Sequence, residues 1–217
     1  MDALFWNDKW ERNEIAFHVQ GVNPLLAKFL SALSLEHDSR VFVPLCGKSG
    51  DIAWLLAQGH RVAGVELNKG AVDQLFSDLA LDPDITDTGE LLHYRAENID
   101  IFVGDLFQLS CDTLGPVDAI YDRAAYVALP ETMRRAYSAH LNAISRGAPQ
   151  LLICYEYDQQ LAEGPPFSIG DAEVARHYGD NFNLTLIDSV PVAGGLKGKF
   201  PATEKVWLLS AKRVDAS

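Results

Sequence analysis

Cysteine is scarce in this chain. There are three (Cys46, Cys111, Cys154), an odd number with no short spacing between them. That excludes a disulfide framework and a four-thiolate zinc site, and a reducing cytoplasm fits best. Basic charge is short as well: 18 lysines and arginines against 30 acidic residues leave a net charge of −12. A nucleic-acid partner needs a basic stripe to release counterions, so none is expected. No apolar run approaches the ~18 residues of a membrane helix, so no membrane partner is expected either. The start, MDALFWNDKWERNE, lacks the basic-then-apolar order of a signal peptide. The six histidines show no H-x-x-x-H or comparable spacing, so no metal site is supported.

What is there is an ordinary globular mixture, 48% hydrophobic and 22% charged over 217 residues. From residue 40 onward, short apolar runs alternate with helical periodicity. RVFVPL (40–45) reads as a buried strand that ends in the turn CGKSG, and DIAWLLAQG follows as a helix stopped at Gly59. RVAGVEL (61–67) is a second strand and KGAVDQLFSDL (69–79) a second helix, with Val72, Leu75, Phe76 and Leu79 on one face. Residues 82–97 read as a polar excursion with room for a short hairpin. NIDIFVGDLF, VDAIYDRAAYVAL and QLLICYEYD supply strands three to five, and PETMRRAYSAHLNAIS is a helix. After a Gly-Pro-Pro turn comes a short helix (171–178), then NLTLIDSV and KVWLLSAKR, joined by a glycine-rich loop that favours a hairpin. Before residue 40 lie an aromatic-rich stretch and the helix NPLLAKFLSAL.

Such alternation implies an α/β fold, Rossmann-like, with a mostly parallel seven-stranded sheet, one antiparallel strand and helices on both faces. One domain is expected over 1–217, with residues 1–39 as a cover segment and 40–213 as the core. No unexplained apolar stripe demands a partner, so a monomer is expected.

In an open α/β sheet, ligands bind beyond the carboxyl ends of the strands. Four loops therefore matter. PLCGKSGD is not a Walker motif, because Phe42 stands where the first glycine belongs, and the full G-x-G-x-x-G fingerprint is missing. What survives is a two-glycine turn that allows a ligand to approach backbone, or simply a tight strand-to-helix turn. Glu66 ends strand two, 19 residues after Gly47, near the ~20-residue offset at which a carboxylate takes ribose hydroxyls. Asp105 at the tip of strand three either accepts from an adenine amino group, beside Leu106 and Phe107, or caps its own turn. At strand four, Asp122 and Arg123 form a surface ion pair, or Arg123 meets the cofactor's carboxylate or an anionic substrate. Trp6 and Trp10 share a helical face that either closes over a ligand or packs on the domain. An acidic ribose contact without a pyrophosphate turn fits adenosyl-methionine better than NAD. An NAD-dependent oxidoreductase and a nucleotide-sensing module without turnover stand as alternatives.

FWNDKWERNEIAFH, VFVPLCGKSGDIAWLLAQGHRVAGVELN, YDRAAYVAL and GPPF together resemble the thiopurine S-methyltransferase family, in order from about residue 4 to 210. The resemblance implies a class I methyltransferase fold and S-adenosyl-L-methionine as methyl donor. It implies a small acceptor, an aromatic or heterocyclic thiol, and selenium and tellurium compounds with a role in tellurite and selenite tolerance. By motif position, Trp10 and Leu45 should contact the cofactor, Glu66 its ribose and Arg123 the cofactor side of the cleft. Asp105 and Leu106 match the adenine region, and Phe17 a position lining the acceptor pocket. Aromatic thiols ionise more readily than cysteine, whose pKa is ~8.5, so no strong general base is required. Asp122 is a weak candidate for one, and Cys46 reads as a packed strand-end residue.

Overall fold

A computed structural model describes residues 3–12 and 21–212. Its centre is a nine-stranded sheet in the order β3-β4-β5-β2-β1-β6-β7-β9-β8. The strands are β1 (Arg40–Pro44), β2 (Arg61–Glu66), β3 (Asp84–Asp87), β4 (Leu92–Ala96), β5 (Ile99–Val103), β6 (Ala119–Arg123), β7 (Gln150–Glu156), β8 (Phe182–Pro191) and β9 (Thr203–Ala211). The helices are α1 (Ala3–Glu11), α2 (Pro24–Phe29), α3 (Gly50–Ala57), α4 (Lys69–Asp78), α5 (Cys111–Leu114), α6 (Glu131–Ile144) and α7 (Asp171–Tyr178). None of the described helices is long and apolar enough to cross a membrane.

β5, β2, β1, β6 and β7 run parallel, with β1 between β2 and β6. Strand order therefore reverses at β1, which places a switch point at its carboxyl end. The strands alternate their side chains between two cores. Val41, Val43, Val62, Ile99 and Ile101 face α2, α3 and α4, while Phe42, Ala63, Phe102, Ile120 and Leu152 face α6 and α7. Both faces are thus covered by apolar helix stripes, as parallel strands require. The helix starts are written locally. Asn23, Ser49, Asn68 and Ser110 each accept a first-turn N–H of α2, α3, α4 and α5, and Pro24 opens α2.

The seven expected strands are present, and two more join them. The excursion at 82–97 is a hairpin, β3 with β4, that extends the sheet antiparallel to β5. Its polarity conceals two inward residues: Leu91, 4% exposed, joins the core, and Tyr94, 1% exposed, packs on Phe76 and donates to Asp73. On the other face of the hairpin His93 is hydrogen-bonded to Asp100 at 2.8 Å and stacks on Phe102 of β5. β3 itself is exposed throughout and carries two aspartates, which blunts the sheet edge. Antiparallel strands therefore occur at both ends, since β9 also runs antiparallel to β7.

Candidate active site

The carboxyl edge gathers the four loops. β1 ends at Leu45, a non-glycine residue held at φ 45°, and the chain continues through Gly47 at φ 52°. Left-handed backbone at a leucine is strained and persists only where its surroundings enforce it. A side chain at Gly47 would put its Cβ 3.0 Å from the Trp10 ring, so the α1 indole lies directly against this turn.

Glu66 closes the corner. It is 6% exposed, and its Oε2 accepts the Gly47 N–H at 2.9 Å while Oε1 accepts the Asn68 N–H at 2.8 Å. Burial pushes its carboxyl up, and N–H groups of Asn68, Gly47 and Leu67 pull it back. The carboxylate thus ties the first two loops together beside Gly47, which has no side chain of its own.

Asp105 is exposed, and its Oδ1 caps the turn at Leu106–Gln108 by accepting the Phe107 N–H at 3.0 Å. The cap is therefore formed, with the second carboxylate oxygen left for other use. Leu106 points its side chain into the core at 3% exposure. Phe17 lies outside the described residues.

Asp122 and Arg123 part company. Adjacent strand residues point to opposite faces, so they do not pair across the cleft. Asp122 is 0% exposed and accepts the Tyr126 N–H (3.1 Å), the Tyr137 hydroxyl (2.7 Å) and the Gln150 amide (3.4 Å). Burial raises its pKa from 3.8 to about 6, against the pull of those donors. A carboxyl so enclosed is placed to brace the strand end rather than to touch an acceptor. Arg123 lies on the Tyr121 face, beside Tyr155 of β7. Burial raises the Tyr155 phenol, the Glu204 charge raises it further and the Arg123 charge lowers it, and both side chains hydrogen-bond to it.

Asp51, to which sequence reasoning assigned nothing, is a further member. Its Oδ1 accepts the Asn23 N–H (2.6 Å) and its Oδ2 the Tyr121 hydroxyl (3.0 Å), at 3% exposure. It fastens the entry to α2 onto the first turn of α3, where a Cβ on Gly50 would meet Gly21 O at 2.6 Å. Only contacts between residues distant in sequence reveal this role. Cys46 is buried beside Gly64, and burial, then the Glu66 charge, pushes its thiol up, which makes it inert.

The remaining wall is aromatic and cationic. Tyr157 lies tilted against Phe200 (5.1 Å between centroids) and donates to Pro166 O at 2.6 Å. Lys197 donates to Pro165 O at 2.9 Å, and burial, then the charges of Lys199 and Lys9, lower its pKa. Three ammonium groups therefore lie within electrostatic reach of one another in a strongly acidic protein.

Solved structures share this arrangement at low identity. The 1,6-didemethyltoxoflavin-N1-methyltransferase of Burkholderia thailandensis, solved with S-adenosylhomocysteine, matches with a TM-score of 0.66 at 16% identity, covering 96% of this chain and 87% of that one. The magnesium protoporphyrin IX methyltransferase of Synechocystis PCC 6803 matches with a TM-score of 0.66 at 14% identity, covering 97% and 100%. Fold and strand order are those of the class I methyltransferase fold. The model of the family described as thiopurine S-methyltransferase matches residues 1–210. Relatives of that name in Xanthobacter autotrophicus (50% identical over 210 residues, 96% of this chain and 99% of the relative) and Gluconobacter oxydans (49% over 209 residues, 96% and 95%) match over nearly their whole length. The chain belongs to the thiopurine S-methyltransferase family. The oxidoreductase and sensor alternatives find no support in these likenesses.

Proposed function

We propose that the protein methylates the sulfur of small aromatic or heterocyclic thiols, thiopurines among them, and also selenium and tellurium compounds, from S-adenosylmethionine in the cytoplasm. The observation that carries the reading is the junction of Glu66 with Gly47 and Asn68, in a chain that resembles the family over 1–210. The residues present fit the methyl donor: Gly47 leaves backbone bare against the Trp10 ring, where a Cβ would come within 3.0 Å of the indole, and a buried carboxylate accepts the same Gly47 N–H. Glu66 would hold the ribose hydroxyls, with Leu45 and Trp10 on either side of the turn. The free oxygen of Asp105, together with the backbone at Leu106, would serve the adenine end, and Arg123 the carboxylate end. When bound, S-adenosylmethionine supplies a methyl group already activated on a sulfonium sulfur.

The chain's own task is therefore alignment and exclusion of water, with proximity as the main contribution. Trp10, Tyr157 and Phe200 offer flat apolar surface to a planar acceptor. Arg123, Lys9, Lys197 and Lys199 favour an acceptor that arrives as an anion, whether a thiolate or a chalcogen oxyanion. A positive mouth also lowers the pKa of a bound thiol, so no carboxylate base is required and Asp122 can stay in the core. A labelled-methyl screen across 6-mercaptopurine, thiophenol, selenite and tellurite tests the reading. Transfer to at least one thiol is expected; S-adenosylmethionine binding without transfer to any of them refutes it.

A further inference from the structure

Helix α6 covers the lower face of the sheet, yet one of its side chains reaches the carboxyl edge. Arg134 is 4% exposed. Its Nε donates to Glu173 Oε1 on α7 at 2.5 Å, and its Nη1 donates to Leu129 O at 2.7 Å. The guanidinium carbon lies 5.9 Å from the Tyr126 ring centre and 5.6 Å from that of Phe167. The Tyr126 hydroxyl is bonded to His177 Nδ1 at 2.6 Å, and the Phe167 N–H donates to Val127 O at 2.7 Å. One buried cation thus stands between the turn at Tyr126–Ala128 and the Gly164–Phe167 turn.

Both turns border the cleft. The first begins three residues after Arg123, through Ala124 at φ 65°. The second presents Pro165 O to Lys197 and Pro166 O to Tyr157, and so joins the loop before β9. A buried ion pair adds little net stability over a well-packed apolar pair, because desolvation cancels most of the attraction. What a guanidinium adds is direction, through a rigid planar fork and a flat face that stacks on rings. We infer that Arg134 is a positioning residue for the methyl acceptor, fixing the spacing between the 126–129 turn and the 164–167 turn that form the acceptor wall. The inference rests on the acceptor lying at this edge, as in the proposed function.

Two variants test it. Arg134→Lys keeps the charge and loses the fork and the stacking face; Phe167→Leu removes one stacked ring and leaves the pair with Glu173 intact. For 6-mercaptopurine, each should raise KM on the order of tenfold while kcat changes by less than about threefold. S-adenosylhomocysteine affinity by calorimetry should stay within about twofold of the wild type, and the double variant should be less than additive. A residue that served stability alone would lower the melting temperature and the active fraction, and leave KM where it was. Unchanged KM in Phe167→Leu, which folds whatever the fate of Arg134→Lys, overturns the inference, as does cofactor affinity falling in step with KM. A wild-type protein that binds S-adenosylhomocysteine and methylates no thiol overturns the proposed function, and this role with it.

Discussion

Replacing Asp122 by asparagine should stabilise the protein in a pH-dependent way and leave catalysis in place. The carboxyl is wholly buried among Tyr126, Tyr137 and Gln150 and protonates at about 6 instead of 3.8. The sign follows from the raised value. The folded state holds this proton more tightly than the unfolded chain, so the favourable contribution is complete below pH 3.8 and is lost as pH rises through 6. At one pKa unit per 1.36 kcal/mol, keeping Asp122 ionised at pH 8 costs about 3 kcal/mol, of which about 1.4 is lost between pH 5 and pH 8. Asparagine keeps an acceptor for the Tyr126 N–H and carries no charge. Its stability relative to the wild type, from urea unfolding at pH 5, 6.5 and 8, should therefore rise by about 1.4 kcal/mol across that range and level off above pH 7. The histidines lowered by burial, His60 and His177, are common to both proteins and cancel in the difference. A difference that is flat with pH would show that Asp122 does not titrate as its burial dictates. A loss of methyl transfer exceeding about a hundredfold in the folded variant would restore Asp122 as a proton acceptor.

Three further outcomes follow from the same geometry. Glu66→Ala should weaken S-adenosylhomocysteine binding by about 1–3 kcal/mol in calorimetry, the scale of lost charged hydrogen bonds; unchanged affinity removes Glu66 from the site. Gly50→Ala should cost roughly 1–3 kcal/mol in thermal unfolding and speed amide exchange at Val22 and Asn23, because its Cβ meets Gly21 O at 2.6 Å. Normal exchange at those amides would mean that the contact is dispensable. Tyr121→Phe leaves Asp51 with an unfilled buried acceptor and should cost about 1–3 kcal/mol, and a neutral result in urea would place water at Asp51.

Much of this protein is legible along the chain, for reasons that are local. β1, β2 and α4 announce themselves because a run of Val and Phe, or apolar residues at i, i+3, i+4 and i+7, has only one way to bury its surface. The glycine turn and Glu66 stand at the two strand tips beside the switch point, and their 19-residue separation is set by the length of one strand-helix-strand unit. What escaped was decided by partners distant in sequence. The 82–97 segment reads as a polar excursion because only Leu91 and Tyr94 are buried in it, while Arg95 meets Asp100 on the neighbouring strand.

Asp122 and Arg123 show the boundary most plainly. As neighbours they invite a pairing, yet the two-residue repeat of a strand sends one into the core beneath Tyr137 and the other toward Tyr155 at the edge. Asp51 and Arg134 look like ordinary first-turn and surface residues of amphipathic helices. Tertiary structure brings Asn23 and Tyr121 to the one, and Glu173, Tyr126 and Phe167 to the other. Periodicity and strand order specify where a ligand-binding edge must lie, because they depend on the backbone repeat. Which carboxylate faces the ligand, and which cation sets the wall, depends on packing between helices and loops that no local pattern encodes.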